Sequence, residues 1–165
     1  NKIKKIEIIL TDVDGVLTDG GRYYSEKGEL LKKFHVRDGM GINILLRNKI
    51  KTIIVTKENS KITKKWAKDM NVSKVISGSL KKENELPKIC EIFKISPFQI
   101  AYIGDDVNDI GLLKKVGFSA TTNDADNMIK EHVDYVCSKD GGKGAFREFA
   151  DYILKIHFGK DIKWY

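Results

Sequence analysis

The chain has 165 residues, of which 41% are hydrophobic and 32% charged, and it carries a formal net charge of +7. This length fits one domain, and the balance of apolar and charged residues excludes a disordered chain. The first residues lack the long apolar segment of a secretory signal, and no apolar run reaches the roughly 20 residues of a membrane-spanning helix. We therefore expect a single cytoplasmic domain over residues 1–165 with no membrane partner.

The positive charge comes mainly from lysines that are distributed along the whole chain. Nucleic-acid binding usually needs a concentrated basic patch and a recognisable module, and the sequence shows neither. A dispersed basic field can still attract a small anion such as a phosphorylated sugar acid. We therefore expect a small-molecule partner and no nucleic acid.

Six short apolar runs predict the strands of a mostly parallel sheet, at residues 6–11, 51–56, 74–77, 100–104, 117–120 and 133–137. Such near-continuous runs are typical of strands that are covered on both faces. Segments with apolar residues at helical spacing separate them, at 39–48, 60–70, 83–94, 108–116 and 145–156. This alternation predicts a doubly wound α/β fold.

One stretch after the first strand interrupts the alternation. Residues 22–25 and 29–36 have the pattern of two strands around a Gly28 turn, which predicts a β-hairpin inserted at about 16–36 and no cap domain. Its apolar content exceeds what an isolated hairpin can bury, so we expect it to pack against a partner subunit. The alternative is that one face of the hairpin packs on its own domain.

Acidic and phosphate-binding side chains follow the predicted strands. In chain order they are Asp12, Asp14, Thr56, Lys82, Asp105, Asp106 and Asp109. Ligands of such sheets bind beyond the carboxyl ends of the strands, so these groups should converge. Oxygen ligands without His or Cys favour a hard cation, and Mg²⁺ is the usual one beside a phosphate.

The spacing of these groups suggests phosphoryl transfer. Asp12 and Asp14 are two residues apart and would face the same side of an extended strand. One carboxylate can attack phosphorus and form an acyl phosphate, while the other exchanges protons with the leaving group and with water. Thr56 and Lys82 can bind the equatorial oxygens as charge develops. A calcium loop is excluded because Val16 occupies the fifth position of that pattern.

Residues 8–20, Thr56, Lys82 and residues 104–109 resemble the four motifs of the haloacid dehalogenase-like phosphatases. Residues 34–42 and 141–148 resemble the capless branch that acts on 3-deoxy-2-ulosonic acid phosphates, including those of lipopolysaccharide biosynthesis. The resemblance implies a Rossmann-like fold and a Mg²⁺-dependent phosphomonoesterase. The expected reaction converts 3-deoxy-D-manno-octulosonate 8-phosphate to the free sugar acid and phosphate.

The resemblance also implies roles for individual residues. Asp12 would be the nucleophile and a metal ligand, and Asp14 would be the acid/base and bind metal through its backbone carbonyl. Asp105 would complete the protein's metal ligands, while Thr56 and Lys82 would hold the phosphoryl group.

Further positions and the assembly follow from the same resemblance. Asp106 and Asp109 would support Lys82 and the waters of the metal. The substrate-binding positions would be Arg37, Asp38, Glu58 and Arg147. The family forms tetramers in which the hairpin and neighbouring subunits close each active site, which implies a homotetramer here.

Three alternatives remain open at this point. Glu58 is more similar to a branch that acts on nine-carbon, sialic-acid-like 9-phosphates, although residues 36–39 are more similar to the octulosonate branch. A non-catalytic assembly domain of a sugar-nucleotide synthetase is the second alternative, and the intact acidic motifs argue against it. A phosphorylatable signalling receiver, the third, would carry its acceptor Asp after the third strand rather than the first.

Overall fold

The computed structural model describes residues 2–165 and contains eight strands. They are β1 (Ile8–Thr11), β2 (Tyr23–Ser25), β3 (Gly28–Leu31), β4 (Lys51–Val55), β5 (Lys74–Ile76), β6 (Ile100–Ile103), β7 (Phe118–Thr121) and β8 (Tyr135–Val136). Six of them form one parallel sheet in the spatial order β5-β4-β1-β6-β7-β8. The other two, β2 and β3, pair antiparallel as a separate hairpin.

Helices connect the strands of the sheet. They are α1 (Val36–Arg47), α2 (Lys61–Asp69), α3 (Leu86–Phe93), α4 (Ile110–Leu113), α5 (Asn127–Lys130) and α6 (Ala145–Phe158). Short 3-10 turns lie at Lys2–Lys5, Lys82–Glu85, Pro97–Gln99, Val107–Asp109 and Gly159–Asp161. Within residues 2–165, no helix has the length and apolar character needed to cross a bilayer.

The core lies in two layers, one on each face of the sheet. Alternate residues of β1 point to opposite faces: Ile9 packs with α1, α2 and α6, while Ile8 and Leu10 pack with α3, α4 and α5. Because both faces are covered, β1 and β6 are buried along their whole length. This arrangement confirms the predicted doubly wound α/β fold.

The topology places the ends of three strands together. The central strand β1 pairs with β4 on one side and with β6 on the other, in register from Ile8 to Thr11. The segments that follow these three strands therefore emerge side by side at the carboxyl edge of the sheet. The strand order reverses at β1, and such switch points are where doubly wound sheets bind ligands.

The hairpin is shorter than the sequence predicts. Its second strand was expected over 29–36, but β3 ends at Leu31, and the next residue, Lys32, contacts Asp14. Helix α1 begins at Val36 rather than at residue 39. His35 caps it, since its Nδ1 accepts a hydrogen bond from Arg37 N at 3.2 Å.

Two other helices differ from their predicted bounds. The segment expected as a helix over 83–94 starts as a 3-10 turn at Lys82, and α3 begins only at Leu86. The segment expected over 108–116 divides into the turn Val107–Asp109 and the short α4. The sequence did not predict α5. The assignment of residues 1–165 to a single domain stays a prediction.

Candidate active site

A polar cavity lies at the carboxyl edge of the sheet, where the segments after β1, β4 and β6 meet. Its lining consists of Asp12, Asp14, Arg22, Thr56, Lys57, Glu58, Asp105, Asp106 and Asn108. Most of the carboxylates expected from the sequence are therefore in one place. Lys82 and Asp109 are buried next to the cavity, where Lys82 contacts both Asp12 and Asp109.

Asp12 follows the last residue of β1, and its residue surface is only 6% exposed. Its Oδ1 accepts hydrogen bonds from Val13 N at 2.7 Å and from Lys82 Nζ at 2.8 Å. Within residues 2–165, Oδ2 makes no hydrogen bond, so this oxygen is available at the cavity. Burial raises the pKa of Asp12 to about 6, against the opposing effect of the Lys82 ammonium.

Lys82 is a buried cation whose side chain is 1% exposed. Besides Asp12, its Nζ contacts Asp109 Oδ1 at 2.6 Å and the Tyr102 hydroxyl at 3.3 Å. Burial alone would lower the pKa of Lys82, but the two carboxylates outweigh that effect and raise it. The amine therefore stays charged at the floor of the cavity, where an anion would be bound.

Asp109 anchors the loop that follows β6. Its Oδ2 accepts from the backbone N of Asp105 at 2.9 Å and of Asp106 at 3.1 Å, while Oδ1 binds Lys82 and the hydroxyl of Tyr102. A Cβ at Gly104 would lie 2.6 Å from the carboxyl carbon of Asp109, so a glycine is required there. Asp109 connects the loop carboxylates to the buried lysine.

The acidic cluster has the properties of a cation site. Asp12, Asp105 and Asp109 each offer an oxygen, and the three oxygens lie within 4.8 Å of one another. Asp105 Oδ1 is buried without a hydrogen-bond partner among residues 2–165. Burial, followed by repulsion from the neighbouring carboxylates, raises the pKa of Asp105 to about 8. A hard divalent cation would satisfy the unpaired oxygen and relieve this repulsion.

The hydrogen bonds distinguish candidate ligands from supporting residues within this cluster. Both oxygens of Asp109 are already occupied by donors, so Asp109 fits a supporting role. Asp12 and Asp105 retain available oxygens. Gly15, at φ +88°, lies directly against the Asp105 carboxylate, because a Cβ built there would be 1.9 Å from Oδ2. The backbone after Asp14 is therefore close to the same site.

Thr56 is placed at the cavity by the end of β4. Its backbone N donates to Ile76 O of β5, which extends the sheet pairing by one residue. The buried side-chain oxygen accepts a hydrogen bond from Glu58 N at 3.3 Å. This contact holds the turn that carries Lys57 and Glu58 into the lining.

Two residues of the hairpin region reach the cavity, and the sequence did not single them out. Arg22 Nη2 forms an ion pair with Glu58 Oε1 at 2.8 Å. Lys32 Nζ contacts Asp14 Oδ1 at 2.5 Å. The hairpin therefore packs one side on its own domain. Neither residue belongs to a motif. Their contacts join segments that are distant in the chain, so no local sequence pattern predicts them.

The structure separates the remaining predicted substrate residues from the cavity. Arg37 is exposed on α1. Asp38 is fully buried, and its Oδ1 accepts from the backbone N of Arg147 at 2.9 Å. The Arg147 side chain pairs with Asp151 at 2.8 Å and lines a different surface depression. In contrast to Glu58, none of the three lines the cavity, and their substrate roles stay predictions.

The glycines at 141 and 142 support the loop that carries the paired aspartates. A Cβ at Gly141 would lie 1.9 Å from Gly15 O, and one at Gly142 would lie 2.4 Å from Asp19 N. Gly142 N also donates to Val16 O at 2.9 Å. The segment of Gly141 and Gly142 therefore packs backbone against backbone on the Asp12 loop.

Known proteins share this sequence and architecture. The family model of haloacid dehalogenase-like hydrolases matches residues 42–147. The 3-deoxy-D-manno-octulosonate 8-phosphate phosphatase of Haemophilus influenzae is 40% identical over 93% of this chain and 86% of that protein. The Escherichia coli K12 enzyme of the same name is 36% identical over 93% of this chain and 81% of its own length.

Solved structures give the same result. The cobalt-bound phosphatase of Haemophilus influenzae superimposes with a TM-score of 0.94 at 39% identity, covering 98% of this chain and 94% of that one. The enzyme of Moraxella catarrhalis, solved with magnesium, phosphate and a KDO molecule, superimposes with a TM-score of 0.90 at 34% identity, covering 93% and 88%. This chain belongs to the haloacid dehalogenase-like hydrolase family.

Proposed function

We propose that this chain is a phosphomonoesterase that hydrolyses 3-deoxy-D-manno-octulosonate 8-phosphate through an aspartyl phosphate on Asp12. The observation that carries the proposal is the Asp12 carboxylate, oriented through Oδ1 by Lys82 and Val13 with Oδ2 at the cavity. The name shared by the relatives supplies the substrate. The product would serve lipopolysaccharide biosynthesis, in the cytoplasm.

In the first half of the reaction, Asp12 Oδ2 attacks phosphorus and the bond from phosphorus to the sugar oxygen breaks. Asp14 gives a proton to the departing oxygen, which would otherwise leave as a poor alkoxide. Lys82 and Thr56 donate hydrogen bonds to the phosphoryl oxygens as negative charge shifts onto them.

In the second half, Asp14 removes a proton from the water that attacks phosphorus. The bond from phosphorus to Asp12 breaks, and the carboxylate and inorganic phosphate are released. The same side chain therefore serves as acid and then as base, which restores its starting protonation state. Asp109 keeps Lys82 in place throughout, because it accepts a hydrogen bond from the amine on its buried side.

Asp12 and Asp105, with the backbone carbonyl of Asp14, would hold a Mg²⁺ ion, and the buried unpaired Asp105 oxygen fits that use. When bound, the ion would neutralise charge on the phosphoryl group and on the carboxylates. Asp106 would bind through the ion's waters. Magnesium and cobalt in the solved relatives support this assignment.

Recognition of the sugar acid is assigned to the mouth of the cavity. Arg22 presents a guanidinium there, and its ion pair with Glu58 fixes its orientation. A guanidinium suits a carboxylate because it can donate two parallel hydrogen bonds. Arg37, Asp38 and Arg147 would have to contribute indirectly or from another subunit.

The proposed assembly is a homotetramer in which the hairpin contacts neighbouring subunits. The hairpin exposes four large apolar side chains, Tyr23, Tyr24, Leu30 and Leu31, which are 55–67% exposed in the isolated chain. Exposed apolar clusters of this kind commonly mark protein interfaces. In the proposed assembly, a subunit bound at these side chains also covers the cavity mouth in place of the absent cap domain.

The test is steady-state turnover, with Mg²⁺, on a panel of eight- and nine-carbon ulosonic acid phosphates. We expect the highest kcat/KM for the eight-carbon 8-phosphate and no turnover by Asp12→Asn, whose amide cannot form the acyl phosphate. A higher kcat/KM for the nine-carbon 9-phosphate would identify that compound as the substrate instead. Glu58 at the cavity mouth is the residue that favours this second candidate. Unchanged activity of Asp12→Asn would overturn the mechanism.

A further inference from the structure

Lys32 is a second buried lysine at the active site. It follows β3, and although its backbone is partly exposed, its side chain is 1% exposed. Its Nζ contacts Asp14 Oδ1 at 2.5 Å and Glu29 Oε1 at 3.0 Å. The adjacent Lys33 has a side chain that is 67% exposed and pairs at the surface with Asp19, at 3.6 Å. One of two neighbouring lysines is therefore directed specifically to Asp14.

A line of polar contacts continues from Lys32 into the domain. Glu29 Oε2 accepts a hydrogen bond from Ser60 Oγ at 2.5 Å. Ser60 is the N-cap of α2, where its side chain also accepts from Thr63 N at 3.1 Å. Asp14 is thereby connected through Lys32 and Glu29 to the start of a helix whose position is set by the core.

Burying a charged amine is costly unless its partners are well placed. Here two carboxylates surround the amine, and they outweigh burial and raise the pKa of Lys32. An apolar side chain could fill the same space without that cost. The position of this lysine is therefore better explained by what it does to Asp14 than by hairpin stability.

We propose that Lys32 is the positioning residue of Asp14, and that it aims this carboxylate at the leaving oxygen of the substrate. This inference rests on the proposed acid/base role of Asp14. Lys32 holds Oδ1 from the hairpin side, so Oδ2 is directed to the cavity that Asp14 lines. The side chain of Asp14 is 22% exposed and would otherwise be free to rotate toward solvent.

The proposal gives the hairpin a part in catalysis that is separate from assembly. Its exposed apolar side chains are free to meet a partner, while Lys32 contacts both Glu29 and Asp14 at the site. A hairpin that shifted away would release Asp14 even if Asp12, Lys82 and the cation site stayed intact. Proton transfer from Asp14 would then be lost, while binding of the phosphoryl group would be retained.

The first experiment compares Lys32→Met with the matched control Lys33→Met, on the sugar phosphate and on p-nitrophenyl phosphate. A misplaced acid should lower kcat for the sugar phosphate by about 10- to 100-fold with little change in KM. The aryl phosphate, whose leaving group needs no proton, should lose less than about 3-fold. Lys33→Met should match the unmodified protein on both substrates. Equal losses on both substrates would overturn the proposal.

The second experiment repeats the substitution in an Asp14→Asn background. If Lys32 acts through Asp14, then Lys32→Met should cause no further loss once the carboxylate has been removed. A further loss of 10-fold or more there would show a separate role and refute the inference. If Asp14→Asn alone slows both substrates equally, the acid role of Asp14 in the proposed function is wrong. That result differs from a failure of the Lys32 proposal alone, in which Asp14→Asn is selective for the sugar phosphate but Lys32→Met is not.

Glu29→Gln provides a variant that keeps both the lysine and its contact with Asp14. Weakened restraint of Lys32 should give the same selective loss on the sugar phosphate, smaller than that of Lys32→Met. Circular dichroism and thermal unfolding establish that each variant is folded. If Lys32→Met does not fold, the Glu29→Gln result decides: a selective loss supports the proposal, and no selectivity rejects it.

Discussion

Asp38 provides a test of whether a predicted substrate residue is instead part of the fold. Its carboxylate is fully buried at the first turn of α1 and accepts a hydrogen bond from Arg147 N in the first turn of α6. The second oxygen, Oδ2, has no hydrogen-bond partner among residues 2–165. We predict that Asp38→Asn stabilises the protein at neutral pH, because an amide can replace the accepting oxygen without a charge.

The size of this effect follows from the pKa. Burial raises the pKa of Asp38 from 3.8 to about 6, against the opposing effects of the Arg147 backbone N–H and of the Lys139 and Arg147 charges. A raised pKa contributes stability that is fully present below 3.8 and is lost as pH rises toward about 6. At 1.36 kcal/mol per pH unit, the loss between pH 4.5 and pH 6 is about 2 kcal/mol.

The assay is urea unfolding of both proteins at pH 4.5 and pH 7.5. The contributions of all other titrating groups cancel when the two proteins are compared at the same pH. The difference in free energy of unfolding, Asp38→Asn minus the unmodified protein, should increase by about 2 kcal/mol from pH 4.5 to pH 7.5. Asp69→Asn, at an exposed carboxylate on α2, controls for the loss of one charge. A constant difference between the two proteins across pH would refute the reasoning, and a raised KM in Asp38→Asn would restore a substrate role.

Three further predictions concern the metal, the hairpin and the Asp12 loop. Chelation should abolish turnover and Mg²⁺ should restore it, whereas Ca²⁺ should bind but support little activity because its shell is larger and looser; activity after complete metal removal would contradict this. Replacement of Tyr24 and Leu31 by Asp should yield folded monomers with poor turnover of sugar phosphates. If light scattering shows that the unmodified protein is a monomer, and that monomer is fully active, the tetramer is excluded. Gly15→Ala should abolish activity, since its Cβ would lie 1.9 Å from Asp105 Oδ2. Gly28 also has a positive φ, of +108°, but a Cβ there would meet nothing within 4 Å, so Gly28→Ala should cost only about 1–2 kcal/mol of stability. Equal activity losses in the two glycine variants would indicate backbone strain rather than a clash.

The fold was predictable where burial leaves a regular pattern in the sequence. The runs that form β1, β4 and β6 are mainly apolar because helices cover both faces of the sheet, and that pattern predicted their bounds to within two residues. The bounds failed where side chains, rather than periodicity, end an element. His35 caps α1, which begins three residues before its predicted start, and Lys32, predicted within the second strand, instead follows β3 and contacts Asp14.

The polar cluster at the cavity was predictable because its members follow strand ends. Asp12, Thr56 and Asp105 converge for that topological reason, and their expected proximity is confirmed. Lys32 and Arg22 were missed because the hairpin folds back in a way that no local pattern encodes. Asp38 illustrates the opposite difficulty, since a motif carboxylate that caps another helix has the same sequence signature as one that binds a ligand.

The packing of residues 141–142 behind the Asp12 loop has a consequence for how the molecule is made. Strand β1 needs β6 as a neighbour, and the loop after it needs the glycines that precede α6 as its backing. Parallel pairings of this kind form slowly because distant chain segments must meet first. During synthesis, Asp12 leaves the ribosome before any of these partners, so a nascent chain would carry the proposed nucleophile without the contacts that orient it. Phosphatase activity should therefore appear only after Gly142 has emerged and docked, which makes the active site one of the last parts of the fold to be completed.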